Sequence, residues 1–434
     1  MIFIYTLALW LLLPYIFLRL LWRARKQPEY LQHISERFGF FSFCSDKPVI
    51  WLHAVSVGET RATQSLVTRL RATYPEHQIL LTHTTPTGRA ASEQLYGNSV
   101  LRAYLPYDYP FAVNRFLRRF RPQLGILMET EIWFNLIRCC QISGTPLLLL
   151  NARMSEKSSR GYARFARLTR NTLANLAAVA AQTADDAARL TRLGAANVSV
   201  MGNLKFDIEP PPDMLELGKQ LREQFGGTRK ILLAASTREG EEILLLDAVQ
   251  NIPVPGLLLV IVPRHPQRFI EVADLLKKRG LEFQLRSENR HVRQETNVVL
   301  GDSMGEMFAY YAAADLAFIG GSLLPYGGQN LIEACAVGTP VVVGPHMYNF
   351  SEATRLAVSG GAAIQVANAP DLAAVTLRLF QNSSALHKMR QQGSVFIESN
   401  RGSTEKSVQL IKQLIKGSAS NYFLKHMQPK SPNK

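Results

Sequence analysis

The chain has 434 residues, 47% of them apolar, which is too long for one ordinary core and fits two domains plus extensions. Its four cysteines form no spaced framework and no two of its nine histidines lie three or four residues apart, which excludes a disulfide-stapled secreted fold and a zinc site of the usual spacing. The formal charge is +15, and residues 1–200 hold 24 Lys/Arg against 12 Asp/Glu, so one half is expected to face a polyanion: nucleic acid, phosphorylated lipid or a membrane surface.

Residues 1–22 are almost wholly apolar, with Arg19 the only charge. As a helix they span about 33 Å, enough for a bilayer. The basic cluster Arg23, Arg25 and Lys26 follows the run instead of preceding it, which is the wrong order for a cleaved signal peptide. By the positive-inside tendency this predicts a single N-terminal membrane anchor, with the body on the cytoplasmic side. The anchor turns the basic excess toward anionic lipid and away from nucleic acid. Pro14 leaves open whether the segment crosses the bilayer or lies in one leaflet. It is expected to be separable from the body, because the first strand starts only near residue 49.

From there, β-rich runs alternate with helical patterns. Strands are predicted at 49–57, 79–84, 100–105, 124–128, 147–151, 179–182 and 198–201. Helical stretches separate them, the signature of a parallel sheet covered on both faces. Pro210, Pro211 and Pro212 then open a polar stretch reaching Gly226 and Gly227, read as an interdomain linker over 210–228. The alternation restarts at 231–235, 257–262, 298–301, 316–320, 341–344 and 363–366, and helices near 370–381, 384–397 and 403–416 close it. The resulting division is an anchor at 1–22, a first domain at 23–209, a second at 229–416 and a loose tail at 417–434.

Ligands of doubly wound sheets bind beyond the carboxyl ends of the strands, so polar residues just after a strand outrank others. Glu59 follows the first strand and Gly58 at a helix start, where it could serve as a general base or merely complement the helix dipole. Glu129 and Glu131 follow the fourth strand; charge there needs a partner or a task, and two carboxylates one residue apart could also hold a cation. Lys205 follows the seventh strand and could pair with one of these glutamates or steady a negative charge in a substrate. In the second half Pro263 and Arg264 follow one strand, with the arginine placed to fork onto a phosphate. Three glycine turns follow others: Gly301 to Glu306, including Met304 and Gly305; Gly320 to Ser322; and Gly327-Gly328 ahead of Asn330, Leu331, Ile332 and Glu333. Together they favour a nucleotide site in the second domain and leave the acceptor to the first. A last feature is one helix after Ser155 in which Lys157, Arg160, Arg164, Arg167 and Arg170 form a cationic stripe, with Tyr162, Phe165 and Leu173 on the far side. Its five like charges favour an anionic partner over a solvated face.

Taken in order, these stretches resemble the Kdo (3-deoxy-D-manno-octulosonic acid) transferase family. The matching segments include 53–60, 84–88, 105–108, 128–133, 151–153, 202–207, 263–266, 301–306, 320–322, 328–334 and 344–346. The resemblance implies a GT-B α/β fold, two doubly wound Rossmann-like domains facing a cleft, and inverting transfer of Kdo from CMP-Kdo to a glucosamine hydroxyl of the lipid A precursor. It implies Glu59 as general base and Glu129 with Lys205 as a transition-state pair. Pro263, Arg264, Met304, Gly305, Glu306 and Asn330 to Glu333 would be the CMP contacts. CMP carries a single phosphate, so neither a metal nor another cofactor is expected. Two other readings share many of these features: an inverting GT-B transferase using a UDP-sugar, and a non-catalytic nucleotide-binding scaffold on the membrane. The oligomeric state is open.

Overall fold

The computed structural model describes residues 1–250 and 252–426 and divides into two compact units, residues 1–207 with the chain from 401 onward, and residues 208–400. The first unit is built on a seven-stranded parallel sheet: β1 (Val49–His53), β2 (Gln78–His83), β3 (Leu101–Tyr104), β4 (Pro122–Met128), β5 (Leu147–Ala152), β6 (Ala178–Ala181) and β7 (Val198–Val200). Their order is β3-β2-β1-β4-β5-β6-β7, so the winding reverses between β1 and β4. β1 and β5 are buried along their whole length, as strands covered on both faces must be. Alternation along β1 sends Trp51 to a core with Phe116, Leu127 and Leu149. It sends Ile50 and Leu52 to the other face, with Leu66, Leu70 and Ile126.

The second unit repeats the plan with β8 (Ile231–Thr237), β9 (Leu258–Pro263), β10 (Phe283–Leu285), β11 (Val298–Leu300), β12 (Leu316–Ile319), β13 (Val341–Val343) and β14 (Ala363–Gln365). Their order is β10-β11-β9-β8-β12-β13-β14, with the reversal between β8 and β12. Leu232, Ala234, Ile261, Phe318 and Val342 fill its core.

Several boundaries differ from the sequence reading. β1 stops at His53, because Ser56 caps a helix that already contains Val57 and Glu59. The stretch read as a linker holds a helix, Pro212–Gln224, in the second unit. Pro212 stands in its first turn, where a missing N–H costs nothing, so the proline run starts this helix instead of forbidding it. The last helix, Ser403–His426, belongs to the first unit and not to the second domain. Val408, Ile411 and Ile415 join the core beside Leu66 and Leu70. The Asp207 carboxylate caps its start, accepting from Gly402 N at 2.7 Å and from Thr404 N. Of the loose tail expected at 417–434, residues up to 426 continue this helix and 427–434 lie outside the described residues.

The apolar N-terminal segment is a continuous helix, Ile2–Ala24, long and apolar enough to cross a membrane. It is not separate from the body. Tyr5 donates to Asp108 Oδ2 at 2.8 Å, Tyr109 donates to Leu9 O at 2.6 Å, and Trp10 lies on Tyr109 and Phe111. At the far end Leu20 and Ala24 are buried, while Phe3, Leu7, Leu11 and Leu18 stay exposed. One side of the helix thus lies on the first unit and the other presents an apolar face.

Candidate active site

Glu59 and Glu129 follow β1 and β4, the two strands that flank the reversal of the first sheet, which is where a doubly wound sheet opens a crevice. Ser56 and Glu59 form a capping box. The Ser56 hydroxyl accepts from Glu59 N at 3.3 Å and donates to Glu59 Oε1 at 2.9 Å, while Val55 N donates to Glu59 Oε2 at 2.8 Å. Burial pushes the Glu59 carboxyl up to about 7, the Val55 N–H opposes this, and the charges of Glu129 and Glu131 add to it. Three carboxylates therefore share one neighbourhood.

Glu129 adopts a left-handed backbone, φ 55°, directly after β4, and its N–H donates to Leu150 O at 3.0 Å. This sharp exit turns its carboxylate to Lys205, whose Nζ lies 3.4 Å from Glu129 Oε1. The loop carrying Lys205 is fixed from below. Asn151 Oδ1 accepts from Leu204 N at 3.1 Å and Asn203 Oδ1 from Lys205 N at 3.0 Å. Glu131 accepts from Trp133 Nε1 at 2.5 Å, and burial raises its carboxyl. His53 Nε2 is 3.9 Å from Glu131, but burial lowers the imidazole to about 3, so it is neutral and the contact is no ion pair.

In the second unit the segments singled out from the sequence gather at the carboxyl ends of β9, β11, β12 and β13. Arg264 N donates to Thr237 O at 3.0 Å, which ties the turn after β9 to the end of β8. Ser303 donates to Glu306 at 2.6 Å, and Arg286 lies 3.4 Å from the same carboxylate, with Met304 exposed between them in sequence. Asn330 accepts from Ile332 N at 3.1 Å and donates to Glu333 at 3.0 Å, so this side chain organises the start of the short Ile332–Ala336 helix. Tyr311, fully buried, feels the charges of both Glu333 and Arg264. Gly320 is required by close approach: a Cβ there would collide with the Ser236 carbonyl across the β8/β12 reversal.

The sequence reading passed over the end of β8. Ser236 has φ 56°, and Arg238 lies over the Tyr326 ring at 4.5 Å. The buried Glu241 carboxylate accepts from Arg238 N, Gly321 N and Leu323 N at 2.6–3.0 Å, clamping the turns after β8 and β12 together. The signal was present, since Arg238 directly follows β8 and Gly240, at φ 85°, ends the turn at the start of the next helix. The cationic stripe is also rearranged. Its helix breaks at Phe165 into Glu156–Ala163 and Ala166–Leu173. Lys157, Arg160, Arg164, Arg167 and Arg170 all remain exposed, and Arg160 pairs with Glu156 at 3.3 Å. Phe165, expected on the far side, is itself 55% exposed among them. No group of three His, Cys, Asp or Glu able to hold a metal occurs among the described residues.

A family model described as 3-deoxy-D-manno-octulosonic-acid transferase (kdotransferase) matches residues 32–208, and one for glycosyl transferases group 1 matches residues 234–396. A 3-deoxy-D-manno-octulosonic acid transferase of Bordetella pertussis is 40% identical over 421 residues, 93% of this chain and 97% of the relative. The chain belongs to the Kdo transferase family. A Haemophilus influenzae protein of the same name is 35% identical over 94% of this chain and 98% of its own length. Among solved structures, a glycosyltransferase from Rickettsia africae covers 86% of this chain and 100% of its own, with 14% identity and a TM-score of 0.57. This Kdo transferase is thus a glycosyltransferase of GT-B architecture, built from two doubly wound units.

Proposed function

We propose that this Kdo transferase moves Kdo from CMP-Kdo to a glucosamine hydroxyl of the lipid A precursor, with inversion and with Glu59 as the base. The acceptor oxygen forms its bond to the anomeric carbon as the bond from that carbon to the CMP phosphate breaks, and the hydroxyl proton passes to Glu59. Glu129 and Lys205 act as a pair that steadies charge developing at the reacting centre. Arg264, with the segments at 304–306 and 330–333, holds CMP and meets the charge of its single phosphate, so the reading calls for no resident metal or cofactor. The Ile2–Ala24 helix attaches the enzyme to the inner membrane with its body in the cytoplasm, consistent with Arg23, Arg25 and Lys26 at the end of the helix.

The observation that carries this reading is the half-buried Glu59 carboxylate. It stands at the sheet reversal beside Glu129 and Glu131 and is raised to about 7, close to the value a base working near neutrality needs. Glu59→Gln keeps the capping box, since glutamine also serves at this position. Turnover of CMP-Kdo and lipid A precursor should therefore fall by on the order of 10²–10⁴, with heat protection by CMP retained. Normal turnover in that variant would remove Glu59 from the mechanism, and protection by UDP in place of CMP would replace the donor.

A further inference from the structure

Beside the N-terminal helix the first unit carries a cavity of about 540 Å³ that lies outside the site described above. Gly39, Phe40 and Phe41 form one wall, and Arg115, Arg118 and Arg119 of the Pro110–Phe120 helix form the other. No carboxylate lines it, and none of these three arginines forms an ion pair within 4.0 Å among the described residues. Arg118 Nε donates to Asn114 O at 3.3 Å and Arg119 Nε to Phe43 O at 2.8 Å, which holds both forks in place. Arg115 lies 4.1 Å from the Phe40 ring and 5.4 Å from the Phe111 ring. Gly39, at φ 81°, lets the loop close on the helix, since a Cβ there would strike the Ala112 carbonyl.

The neighbourhood decides what such a cavity takes. Phe111 stacks on Trp10 of the N-terminal helix at 5.6 Å, and Trp10, Leu11 and Phe40 are all about half exposed or more. A concave cluster of guanidinium groups without acids is suited to a phosphate. Exposed aromatics beside it are suited to the zone between lipid headgroups and acyl chains. A soluble phosphate ligand would have no use for that apolar border. We propose that the cavity is a headgroup site for an anionic phospholipid of the bilayer, with the phosphate among Arg115, Arg118 and Arg119 and the chains passing over Phe40 toward the N-terminal helix.

The proposal rests on the membrane reading of that helix, and the experiment separates the two. The full-length protein is titrated with vesicles of phosphatidylcholine, with and without phosphatidylglycerol. Binding to pure phosphatidylcholine reports the helix; the preference for phosphatidylglycerol reports the cavity. Arg115→Gln with Arg118→Gln should cut that preference roughly tenfold, leaving binding to pure phosphatidylcholine, the thermal midpoint and the KM for a detergent-dispersed acceptor unchanged. Arg71→Gln with Arg192→Gln removes the same charge from exposed positions on two other helices and should cut it far less. Equal losses in the two pairs would reduce the effect to net charge and overturn the site. A raised acceptor KM with an unchanged lipid preference would assign the arginines to the acceptor phosphate and overturn it equally.

Discussion

Glu59 joins two demands that usually conflict. Its capping role wants an ionised carboxylate at a helix start, whereas burial and the charges of Glu129 and Glu131 hold the proton up to about 7. Turnover should accordingly rise with pH through about 7, and a flat profile between pH 6 and pH 8 would separate the rate from this carboxyl. Stability should move the other way. The unfolded carboxyl titrates near 4.5, so below that value the folded-state preference for the proton is fully expressed, and it is lost as pH rises through about 7. The stability of the wild type relative to Glu59→Gln should therefore fall over that window and level off above it, measurable by denaturant titration at several pH values. Glu59, Glu129 and Lys205 stood out in the sequence because each lies in the segment that leaves the carboxyl end of a strand, Glu129 directly and the other two a few residues on. The Asn151 side chain that fixes the Lys205 loop was not, since its contact spans more than fifty positions and leaves no local pattern.

Among the elements, the N-terminal helix departs most from the reading of its sequence. Hydropathy identifies an apolar helix but not the neighbour that one side of it covers. Here that neighbour is set by Asp108, whose carboxylate accepts from Asn135 N at 3.1 Å, from Leu136 N at 2.7 Å and from Tyr5. Burial raises the Asp108 carboxyl to about 6, against the pull of these donors. Asp108→Ala should cost about 1–3 kcal/mol by stranding buried donors, and Tyr5→Phe on the order of 1 kcal/mol. Thermal unfolding in detergent, monitored for both variants, measures this. Removing residues 1–22 should lower the midpoint further and expose Tyr109, Phe111 and Phe134, so a truncated body that keeps the full midpoint would refute the docking. For the broken cationic helix, Arg160, Arg164 and Arg167 replaced by Gln should raise the acceptor KM more at low salt than at high salt, with the donor KM unmoved. Most strands were legible from apolar runs bounded by turn residues. β10 was not: it has three residues at a sheet edge, between Glu282 and Arg286, too short and too charged at its ends to show a period.

For the molecule as a whole, the alternation of strands and helices revealed two doubly wound units, because each sheet is covered on both faces and reads as repeated apolar runs. Chain order did not reveal that the last helix returns to the first unit. Its apolar positions look the same whichever sheet they cover, and the Asp207 cap joins residues nearly two hundred positions apart.

That return sets a timetable for synthesis. As the chain leaves the ribosome, β1 to β7 are complete long before Val408, Ile411 and Ile415 exist, so Leu66, Val67 and Leu70 wait with one side of their core uncovered. At about 5–20 residues per second the wait lasts roughly 10–40 s, long enough for a chaperone to engage the open face. A nascent chain stalled at residue 400 should therefore be cut readily by protease within the Gln64–Thr73 helix, while one carried through residue 417 and released should resist. Equal resistance in the two would mean that the first unit closes without its last helix. Termination soon after residue 400 should then damage the half of the enzyme that was translated first.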